Sequence, residues 1–409
     1  MLDHKKALKK TLKAFGGKKW GAENVRLSEA HGRYLQGPLK AREDYPAFDG
    51  SLMDGYALRH GDTMDCGVER GKEFRVIYEV PAGARPLKKI GRNECARIFT
   101  GAMLPPGADC VIKQEAVKKT GGSIKIFAPV RRGNSVKRAG SDMKKGGAVF
   151  PAGHRMEELS AGVCAAQGIT RLKVIKKPEA AVITTGNEVV RHSGRLKPGQ
   201  IRDSNLPVLR GLLEDAGCRV VLEEAVKDDI GLIIKSIQKG LKHDFVVISG
   251  GISVGDYDFV REALFRCGVK EVFWKTNVKP GKPLFFGIHR ERTPVFALPG
   301  NPSAAIFLFY YFIRPAILAS YGAKKIFKPV VRCRLSEDYR NRTTDRFSFV
   351  RVELKNEGSL IYALPAGEQE SFALRSFALC DGLLMAPPGE YTMKKGSEAD
   401  VMLLRHLEV

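Results

Sequence analysis

Three glycine-rich segments in the second half of the chain have the composition of ligand-binding turns. They read TTGNEVV (184–190), SGGISVGDYDF (249–259) and LPGNPSAA (298–305), and each follows an apolar run typical of a buried strand. Glycine lets the backbone approach a ligand closely, and the free N–H groups of a following helix suit a phosphate. A plain turn explains any one of these segments equally well. Three of them after successive strands predict a shared anion-binding crevice, because parallel strands end at the same edge of a sheet.

Carboxylates cluster in the same segments. Glu188 and Asp258 lie beside the predicted phosphate turns, and Asp228 follows another apolar run. One or two carboxylates, together with substrate phosphates and waters, commonly hold Mg²⁺. Asp256 is explained more simply as the cap of the following helix. The pattern therefore predicts a magnesium site that includes Glu188 and Asp258.

Lysines surround a Pro-Gly turn in the segment KTNVKPGKP (275–283). Lys275 and Lys279 are four residues apart, so in a strand they share a face. Two ammonium groups on one face repel each other unless an anion lies between them. The spacing therefore favours an anion-binding role for this pair, whereas Lys282 is about equally well explained by a solvated basic loop.

A second set of polar residues lies upstream, in DGSLMDGYAL (49–58) and TGAMLPPGADCVIKQE (100–115). It contains Asp54, Thr100 and Asp109, while Asp142 is the only acid among nine Lys and Arg residues between 118 and 145. Aspartates of this kind are most commonly turn-forming residues. From the residues alone, a structural role for Asp54 and Asp142 stays open.

The composition favours an anionic partner. The 409 residues include 68 Lys+Arg and 45 Asp+Glu, a formal net charge of +23. This charge suits a nucleotide, a phosphorylated cofactor, an oxyanion or a nucleic acid without choosing among them. The N-terminus lacks the apolar core of a signal peptide, and the longest apolar run, 304–313, is too short to span a bilayer. Since the eight cysteines form no C-x-x-C pair, we expect a cytoplasmic protein without a zinc site or a disulfide framework.

The pattern of elements changes along the chain. Residues 1–20 have the spacing of an amphipathic helix, and residues 45–150 contain short β-rich runs with frequent glycine. Strand and helix patterns alternate from 178 to about 322, which predicts a doubly wound, mostly parallel sheet. Further β-like runs between 330 and 409 predict a small β domain.

An ordered set of motifs resembles one known family. DGYAL, TGAMLPPGADCVIKQE, GSD, TTGNE, PGQIRDSN, SGGISVGDYD, KPGKP and LPGNP occur in the order and approximate spacing of the MoeA / gephyrin E-domain family, the molybdopterin molybdenumtransferases. The resemblance implies an α/β multidomain fold: a central MogA/MoaB-like α/β domain, an N-terminal helical and β region, a small β domain and a C-terminal β-barrel-like domain. We predict the domain bounds 1–44 with 141–177, 45–140, 178–326 and 327–409.

The same resemblance implies a homodimer with active sites near the subunit interface, and a reaction. Molybdenum from molybdate enters the dithiolene of adenylylated molybdopterin, and AMP leaves with the help of Mg²⁺. Contact with the molybdopterin adenylyltransferase, no specific nucleic acid and no membrane are expected. The residues in catalytic positions are Asp54, Thr100, Asp142, Asp228, Lys275 and Lys279, and the metal positions are Glu188 and Asp258. The cofactor-binding positions are Gly186, Ser249, Gly250, Gly251, Ser253, Gly255, Pro299, Gly300, Asn301 and Pro302.

Three positions depart from the family pattern. Asn187 stands where the family usually has Asp, which removes a charge but keeps an oxygen ligand. Ser303-Ala304 replaces Val-Ser after LPGNP, so that a hydroxyl group has moved by one position. EQESF (368–372) lacks the glycines of the usual Gln-Gly-Ser-Gly.

Three alternative functions are weighed against the transferase. A molybdopterin adenylyltransferase would need only the central domain, so the long flanking regions argue against it. A non-enzymatic scaffold, as in gephyrin, would not need the five acids and both lysines. A nucleic-acid binder is suggested by the charge alone, since the sequence has no signature of an RNA-recognition motif, helix-turn-helix or zinc finger.

Overall fold

The first half of the chain consists of one helix followed by short strands. The computed structural model describes residues 1–252, 259–342, 345–367, 369–370 and 372–405. Helix α1 spans His4–Gly16 and begins after Asp3, whose carboxylate accepts hydrogen bonds from two backbone N–H groups of the first turn. The elements that follow are β1 (Ala22–Arg26), β2 (Leu39–Lys40), β3 (Gly50–Ser51), β4 (Gly55–Leu58), β5 (Lys72–Val80), β6 (Glu94–Ile98), β7 (Cys110–Lys113), β8 (Lys118–Thr120), β9 (Ser123–Ile126), β10 (Val136–Lys137), β11 (Ala148–Phe150), α2 (Glu158–Ala166) and β12 (Arg171–Ile175), with 3₁₀ turns at Leu27–Glu29, His60–Thr63 and Gln114–Ala116.

These strands form two separate bodies. Six of them make a sheet in the order β7-β4-β6-β5-β9-β8, which buries Phe74, Ile98 and Cys110. Strand β1 pairs with β12, and β2 pairs with β11, so that residues distant in the chain enclose a second core around Leu35 and Met156. Helix α1 packs elsewhere, against the central domain, because its apolar face buries Ala7 and Phe15 in that domain's core.

The central domain is a six-stranded sheet with helices on both faces. Its elements are β13 (Glu179–Thr185), β14 (Val189–Val190), β15 (Ile201–Arg202), α3 (Asn205–Asp215), β16 (Arg219–Val226), α4 (Ile230–Gly240), β17 (Phe245–Ser249), α5 (Phe259–Arg266), β18 (Val269–Trp274), β19 (Val278–Lys279), β20 (Phe285–His289), β21 (Thr293–Leu298), α6 (Pro302–Leu308), a π-helical turn (Phe309–Ile313) and α7 (Arg314–Ser320). The strand order is β16-β13-β17-β21-β20-β18, in which the first four strands are parallel. The sequence prediction of a doubly wound, mostly parallel sheet is confirmed.

Alternating residues of β13 explain why both faces of the sheet are covered. Ala180 and Val182 pack with α3 and the helix that begins at Pro302, whereas Ala181 and Ile183 pack with α4 and α5. Successive side chains of a strand point to opposite faces, so a strand buried on both sides reads as a continuous apolar run. Fully buried apolar residues at all four positions therefore require helices on each face.

The continuous helix Pro302–Ser320 is the longest apolar helix in the described part of the chain. By length and composition alone it could cross a membrane, but 72% of it is buried inside the protein. Phe307, Phe312 and Ile317 lie in the same core as the sheet and helix α1. This helix is therefore part of the core of a globular protein.

The C-terminal region is a closed β-barrel. Its elements are β22 (Val330–Leu335), β23 (Tyr339–Asn341), β24 (Phe347–Glu357), β25 (Leu360–Pro365), α8 (Leu374–Leu379), β26 (Gly382–Ala386), β27 (Tyr391–Met393) and β28 (Glu398–Leu403). The order β24-β25-β22-β28-β26 closes because β26 also pairs with β24. Closure pairs the strand edges that an open sheet would expose. The predicted α/β multidomain fold with a barrel-like C-terminal domain is thus confirmed.

Candidate active site at the carboxyl edge of the central sheet

The predicted phosphate turns meet at one edge of the central sheet. They follow β13, β17 and β21, which are adjacent and parallel. The Ser249 hydroxyl donates to the Pro299 carbonyl at 3.1 Å. The Asn205 amide donates to Ser249 Oγ at 2.9 Å and to the Gly300 carbonyl at 2.8 Å. One buried asparagine therefore holds the turns after β17 and β21 together, which sequence reasoning did not identify.

Glycine at these turns is required by close packing. Gly250 has φ +110°, and a Cβ atom there would lie 2.3 Å from the Thr185 carbonyl oxygen. A Cβ atom on Gly251, at φ +56°, would lie 3.0 Å from Thr185 Oγ1. The Gly250 N–H donates to the Leu298 carbonyl at 3.0 Å, and Gly300 packs beside Gly250. A side chain at Gly250 or Gly251 would collide with these neighbours, so backbone atoms line the floor of the crevice there.

A buried hydroxyl faces the same turns. Thr185 is 5% exposed, and its Oγ1 has no hydrogen-bond partner within the part of the chain that the structure describes. The neighbouring Thr184 hydroxyl, in contrast, donates to Asp203 Oδ2 at 2.6 Å. Because an unsatisfied buried hydroxyl costs free energy, Thr185 is a polar group for which the crevice offers a ligand position.

The acidic residues lie beside the first turn. The Asn187 N–H donates to Asp228 Oδ2 at 3.2 Å, and the Asp228 N–H donates to Asn187 Oδ1 at 3.2 Å. Glu188 is exposed, and its carboxylate lies over Gly186, with Oε2 at 2.9 Å from the position of a Cβ there. Asn187 thus joins the loops after β13 and β16 through its backbone N–H and its side-chain oxygen, an acceptor that Asp would supply as well.

Four residues singled out in the sequence lie outside the described residues: Ser253, Gly255, Asp256 and Asp258. Over the ranges that are described, no group of three or more His, Cys, Asp or Glu side chains is arranged to hold a metal ion. The carboxylates beside the crevice that the structure does place are those of Glu188 and Asp228. They are hard oxygen donors, and two carboxylates are the complement that Mg²⁺ uses when phosphates and waters complete its shell.

The expectation that Lys275 and Lys279 share one strand face is wrong. Strand β18 ends at Trp274, and Lys275 has φ +67°, which breaks the extended backbone. Lys279 belongs to β19, which pairs with β24 of the barrel instead. Period-two spacing holds only while the strand continues, and the left-handed residue ends it. The Lys275 ammonium group lies over the Trp274 ring at 3.9 Å from its centroid.

Trp274 was missed by sequence reasoning. Besides Lys275, the guanidinium of Arg261 lies over its ring, 4.1 Å from the centroid, and Arg261 is held by Glu271 at 2.9 Å. An aromatic face attracts cations through its quadrupole. The ring therefore fixes the direction of Lys275, and the adjacent Trp-Lys pair in the sequence was a signal for this contact.

Asp54 and Thr100 form a unit in the small β domain. The Thr100 N–H and hydroxyl both donate to Asp54 Oδ1 at 2.8 Å. These hydrogen bonds, the backbone one first, hold the pKa of Asp54 below its usual value. Asp142 is exposed in a turn whose N–H donates to the Tyr45 carbonyl at 3.1 Å. Asp109 accepts from the His60 N–H at 2.7 Å and thus holds the start of a 3₁₀ turn.

The structure does not bring this unit to the crevice within one chain. Between described residues, no hydrogen bond or ion pair joins the range 45–140 to the range 178–326. The sequence-predicted site is therefore divided into two clusters, one in the small β domain and one at the edge of the central sheet.

The barrel reaches the crevice through a buried arginine. Arg351, which is 3% exposed, donates to Ser303 Oγ at 2.9 Å and to the Glu370 carbonyl at 3.0 Å. Ser303 follows Asn301 and Pro302 at the start of α6, where the Asn301 side chain accepts from the Ser303 N–H at 3.2 Å. The hydroxyl that departs from the family pattern, that of Ser303, is thus the group that accepts a hydrogen bond from the barrel. The EQESF segment lies next to it, with Glu368 and Ser371 outside the described residues.

The fold and these turns define a multidomain α/β protein with a glycine-lined crevice where the strand order reverses. Profiles of known families match three consecutive parts of the chain. Residues 2–168 match "MoeA N-terminal region (domain I and II)", residues 181–319 match "Probable molybdopterin binding domain", and residues 332–404 match "MoeA C-terminal region (domain IV)".

Curated proteins and solved structures agree with these matches. The chain is 32% identical over 384 residues to the molybdopterin molybdenumtransferase of Staphylococcus aureus (strain Mu50), covering 93% of this chain and 91% of that protein. It is 32% identical to the protein of the same name from a Nostoc species, covering 93% and 88%. The crystal structure of the molybdopterin biosynthesis MoeA protein from Pyrococcus horikoshii OT3 superposes with a TM-score of 0.86 at 28% identity, covering 98% of this chain and 100% of that one. The chain belongs to the MoeA family.

Proposed function

We propose that this chain is a molybdopterin molybdenumtransferase of molybdenum cofactor biosynthesis. It inserts molybdenum from molybdate into the dithiolene of adenylylated molybdopterin, and AMP is released. The protein is a transferase enzyme by its membership in the MoeA family. The observation that carries the proposal is the crevice in which the turns after β17 and β21 are locked together beside the acids Glu188 and Asp228.

The turns would hold the phosphates of the substrate. Gly250, Gly251 and Gly300 leave backbone atoms as the floor of the crevice, so that phosphate oxygens could approach the chain closely. Gly186, Ser249, Pro299, Asn301 and Pro302 shape the same floor, and Ser253 and Gly255 extend the turn after β17 in the sequence. The Thr185 hydroxyl, which bonds no described residue, would donate to the same ligand.

Glu188 and Asp228 fit a magnesium ion by the chemistry of their donors, and Asp258 is a third candidate ligand. When bound, Mg²⁺ supplies charge neutralisation at the phosphoanhydride. The Asn187 backbone N–H donates to the Asp228 carboxylate and keeps it in place, while the Asn187 side-chain oxygen accepts from the Asp228 N–H. The carboxylates position and compensate charge, and none of them needs to act as a nucleophile.

Lys275 and Lys279 would hold the molybdate dianion. They do so from two different elements: Lys275 is aimed by the Trp274 ring, and Lys279 is fixed where β19 meets the barrel. Two ammonium groups from separate elements can approach a tetrahedral oxyanion from two directions. Arg351 would tie the barrel to the turn at Asn301, because it donates to the Ser303 hydroxyl and the Ser303 N–H donates to the Asn301 side chain.

Asp54, Thr100 and Asp142 would complete the site across a homodimer. Asp54 and Thr100 form a unit apart from the crevice within one chain, and Asp142 lies in a separate turn beside Tyr45. A role for them in the same reaction therefore requires the N-terminal half of a second copy to face the crevice. A mixture of Asp54→Asn and Glu188→Gln subunits tests this, because a mixed dimer contains one intact composite site. Regained activity in the mixture supports the shared site, and a mixture as inactive as each variant alone contradicts it.

The first assay measures AMP release from adenylylated molybdopterin with Mg²⁺, in the presence and absence of molybdate. Molybdenum bound to the pterin product is measured in the same sample, and tungstate replaces molybdate in a further arm. Molybdate-dependent AMP release with metal incorporation is expected. ATP consumption with free molybdopterin would indicate an adenylyltransferase instead, and tight binding without turnover would indicate a scaffold.

Two substitutions test the acids. Glu188→Gln and Asp258→Asn should abolish AMP release and leave the unfolding midpoint near that of the wild type, because both remove a charge without changing volume. Glu337→Gln, which alters an exposed acid of the barrel, is the matched control and should be fully active. A fully active Glu188→Gln, Asp258→Asn double variant would refute these assignments.

The cellular location and the partners of the enzyme are part of the same proposal. We propose a cytoplasmic enzyme that receives adenylylated molybdopterin from the adenylyltransferase by direct contact, with no specific nucleic acid and no membrane as partner. The net charge of +23 would attract the polyanionic substrate. A shift in gel mobility with random DNA that disappears at moderate salt would reflect this charge alone.

A further inference from the structure

A basic cavity lies at the opposite edge of the central sheet from the crevice. Its volume is about 360 Å³, and it lies among the amino ends of β17 and β21, the turn between β20 and β21, and the segment after α1. Five cationic side chains line it: Lys18, Lys19, Lys242, Arg290 and Arg292. The imidazoles of His243 and His289 complete the polar wall.

The cations of this cavity form no ion pair with a carboxylate of a described residue. No described carboxylate oxygen lies within 4.0 Å of any of the five charged groups. Asp244 is the one acid in the wall, and its Oδ2 accepts from the Glu179 N–H at 2.8 Å. Glu179 itself is paired with Arg219 and His243. The wall therefore carries five positive charges against one negative charge that is already hydrogen-bonded.

Lys18 is held in an unfavourable place for a cation. It is half-buried, and burial followed by the nearby Arg292 guanidinium lowers its pKa below the usual value, with the Asp244 carboxylate acting in the opposite direction. A free lysine would swing into solvent to avoid both effects. A bound anion would offset both effects, because its charge would attract the ammonium group and would lie between the two like charges.

The turn that presents Arg290 is strained. Arg290 and Glu291, two of the three residues between β20 and β21, have φ +48° and +56°, the left-handed region that both central residues of a type I′ turn adopt, and the Arg292 N–H donates to the His289 carbonyl at 2.9 Å. Asn-Gly or Asp-Gly are the residues that adopt such a turn without cost. A long cation at a strained position beside a basic cavity is the kind of backbone outlier that marks ligand sites.

We propose that this cavity binds a small anion carrying several negative charges on phosphate groups, with inorganic pyrophosphate as its simplest representative. Five cations and one acid match an anion with three or four charges. A volume of about 360 Å³ is that of roughly twelve water molecules. A single orthophosphate would be held loosely in this space, whereas two linked phosphates suit it better. The site is separate from the substrate crevice, so its occupancy does not depend on the proposed function.

The test is isothermal titration of the full-length protein with pyrophosphate at fixed, near-physiological ionic strength. Saturable binding is expected, and Lys18→Gln or Arg292→Gln should weaken it about tenfold, the loss of one charge-assisted hydrogen bond. Lys119→Gln removes the same charge from the exposed strand β8 and should bind like the wild type. Equal weakening in all three variants would show non-specific attraction by net charge and would overturn the proposal.

Two further arms assign the site. Pyrophosphate binding must survive Gly250→Ala, which disrupts the crevice at the other edge of the sheet; loss of binding in that variant would place the anion in the crevice and overturn the proposal. Orthophosphate should bind at least tenfold more weakly than pyrophosphate. An acidic peptide could also compete with pyrophosphate for the cavity. If the peptide binds with a lower Kd than pyrophosphate, the result would indicate a protein partner instead.

Discussion

Replacing Gly250 by alanine tests the geometry of the crevice most directly. The residue has φ +110°, where a side chain costs about 1–3 kcal/mol. Its Cβ atom would lie 2.3 Å from the Thr185 carbonyl oxygen, and overpacking of this kind costs a further 1–3 kcal/mol or so. The sum is about 2–6 kcal/mol, enough to displace the turn while the surrounding sheet stays folded.

The measurable result is a separation of activity from stability. Because β17 is buried among neighbouring strands, the strain can be relieved only by moving the turn toward the crevice, so we expect AMP release to fall at least tenfold. Urea unfolding should show a smaller free energy of unfolding with an unchanged m-value. Molybdenum incorporation, measured in the same reactions, should fall in parallel.

Two glycine variants serve as controls. Gly121 has φ +57° in the turn between β8 and β9 and open space around its Cβ position, so Gly121→Ala should cost only about 1–2 kcal/mol and leave activity intact. Gly300 lies in the crevice, but a Cβ there would meet Gly250 Cα at an ordinary 3.5 Å, so Gly300→Ala should fold normally. A Gly250→Ala enzyme with wild-type activity would refute the argument that backbone proximity shapes this site.

Three further predictions concern single contacts. Thr100→Val removes one of the hydrogen bonds that lower the pKa of Asp54; the pKa should rise in a carboxyl NMR titration, and the stability advantage of the wild type, present at neutral pH, should vanish as the pH falls through the pKa of Asp54. Trp274→Leu frees the Lys275 ammonium, so the KM for molybdate should rise about two- to fivefold with little change in kcat, and an unchanged KM would contradict the positioning role. Tyr321→Phe removes a buried 2.7 Å hydrogen bond to a backbone carbonyl and should lower the free energy of unfolding by about 1 kcal/mol in urea titrations, without loss of activity.

The architecture of the chain was largely readable from local patterns. The apolar run at 180–185 is continuous because β13 is buried on both faces, and strands of this kind are recognisable by composition. The helix of residues 205–215 ends before Gly217, whose φ of +94° needs glycine, as the sequence indicated. Closure of the barrel was not readable, because the pairing of β24 with β26 joins residues that no periodicity connects.

Lys275 and Lys279 show where local reasoning failed. Their spacing suits a strand, but the conformation of one residue was decided by contacts distant in the chain: the Lys275 N–H and carbonyl both bond backbone groups of other segments. Trp274 and Arg261 were missed for a related reason. A contact between a helix residue and a strand residue leaves no spacing to detect.

The sequence by itself determined the residue types of the site, the order of the elements and the glycine positions, because backbone conformation and burial act through neighbouring residues. The family followed from the same motifs in order. Only the tertiary structure decided which of these residues meet. It joined Ser249, Asn205 and Gly300, linked Arg351 to Ser303, and kept Asp54 and Thr100 apart from the crevice, because these distances depend on how separate segments pack.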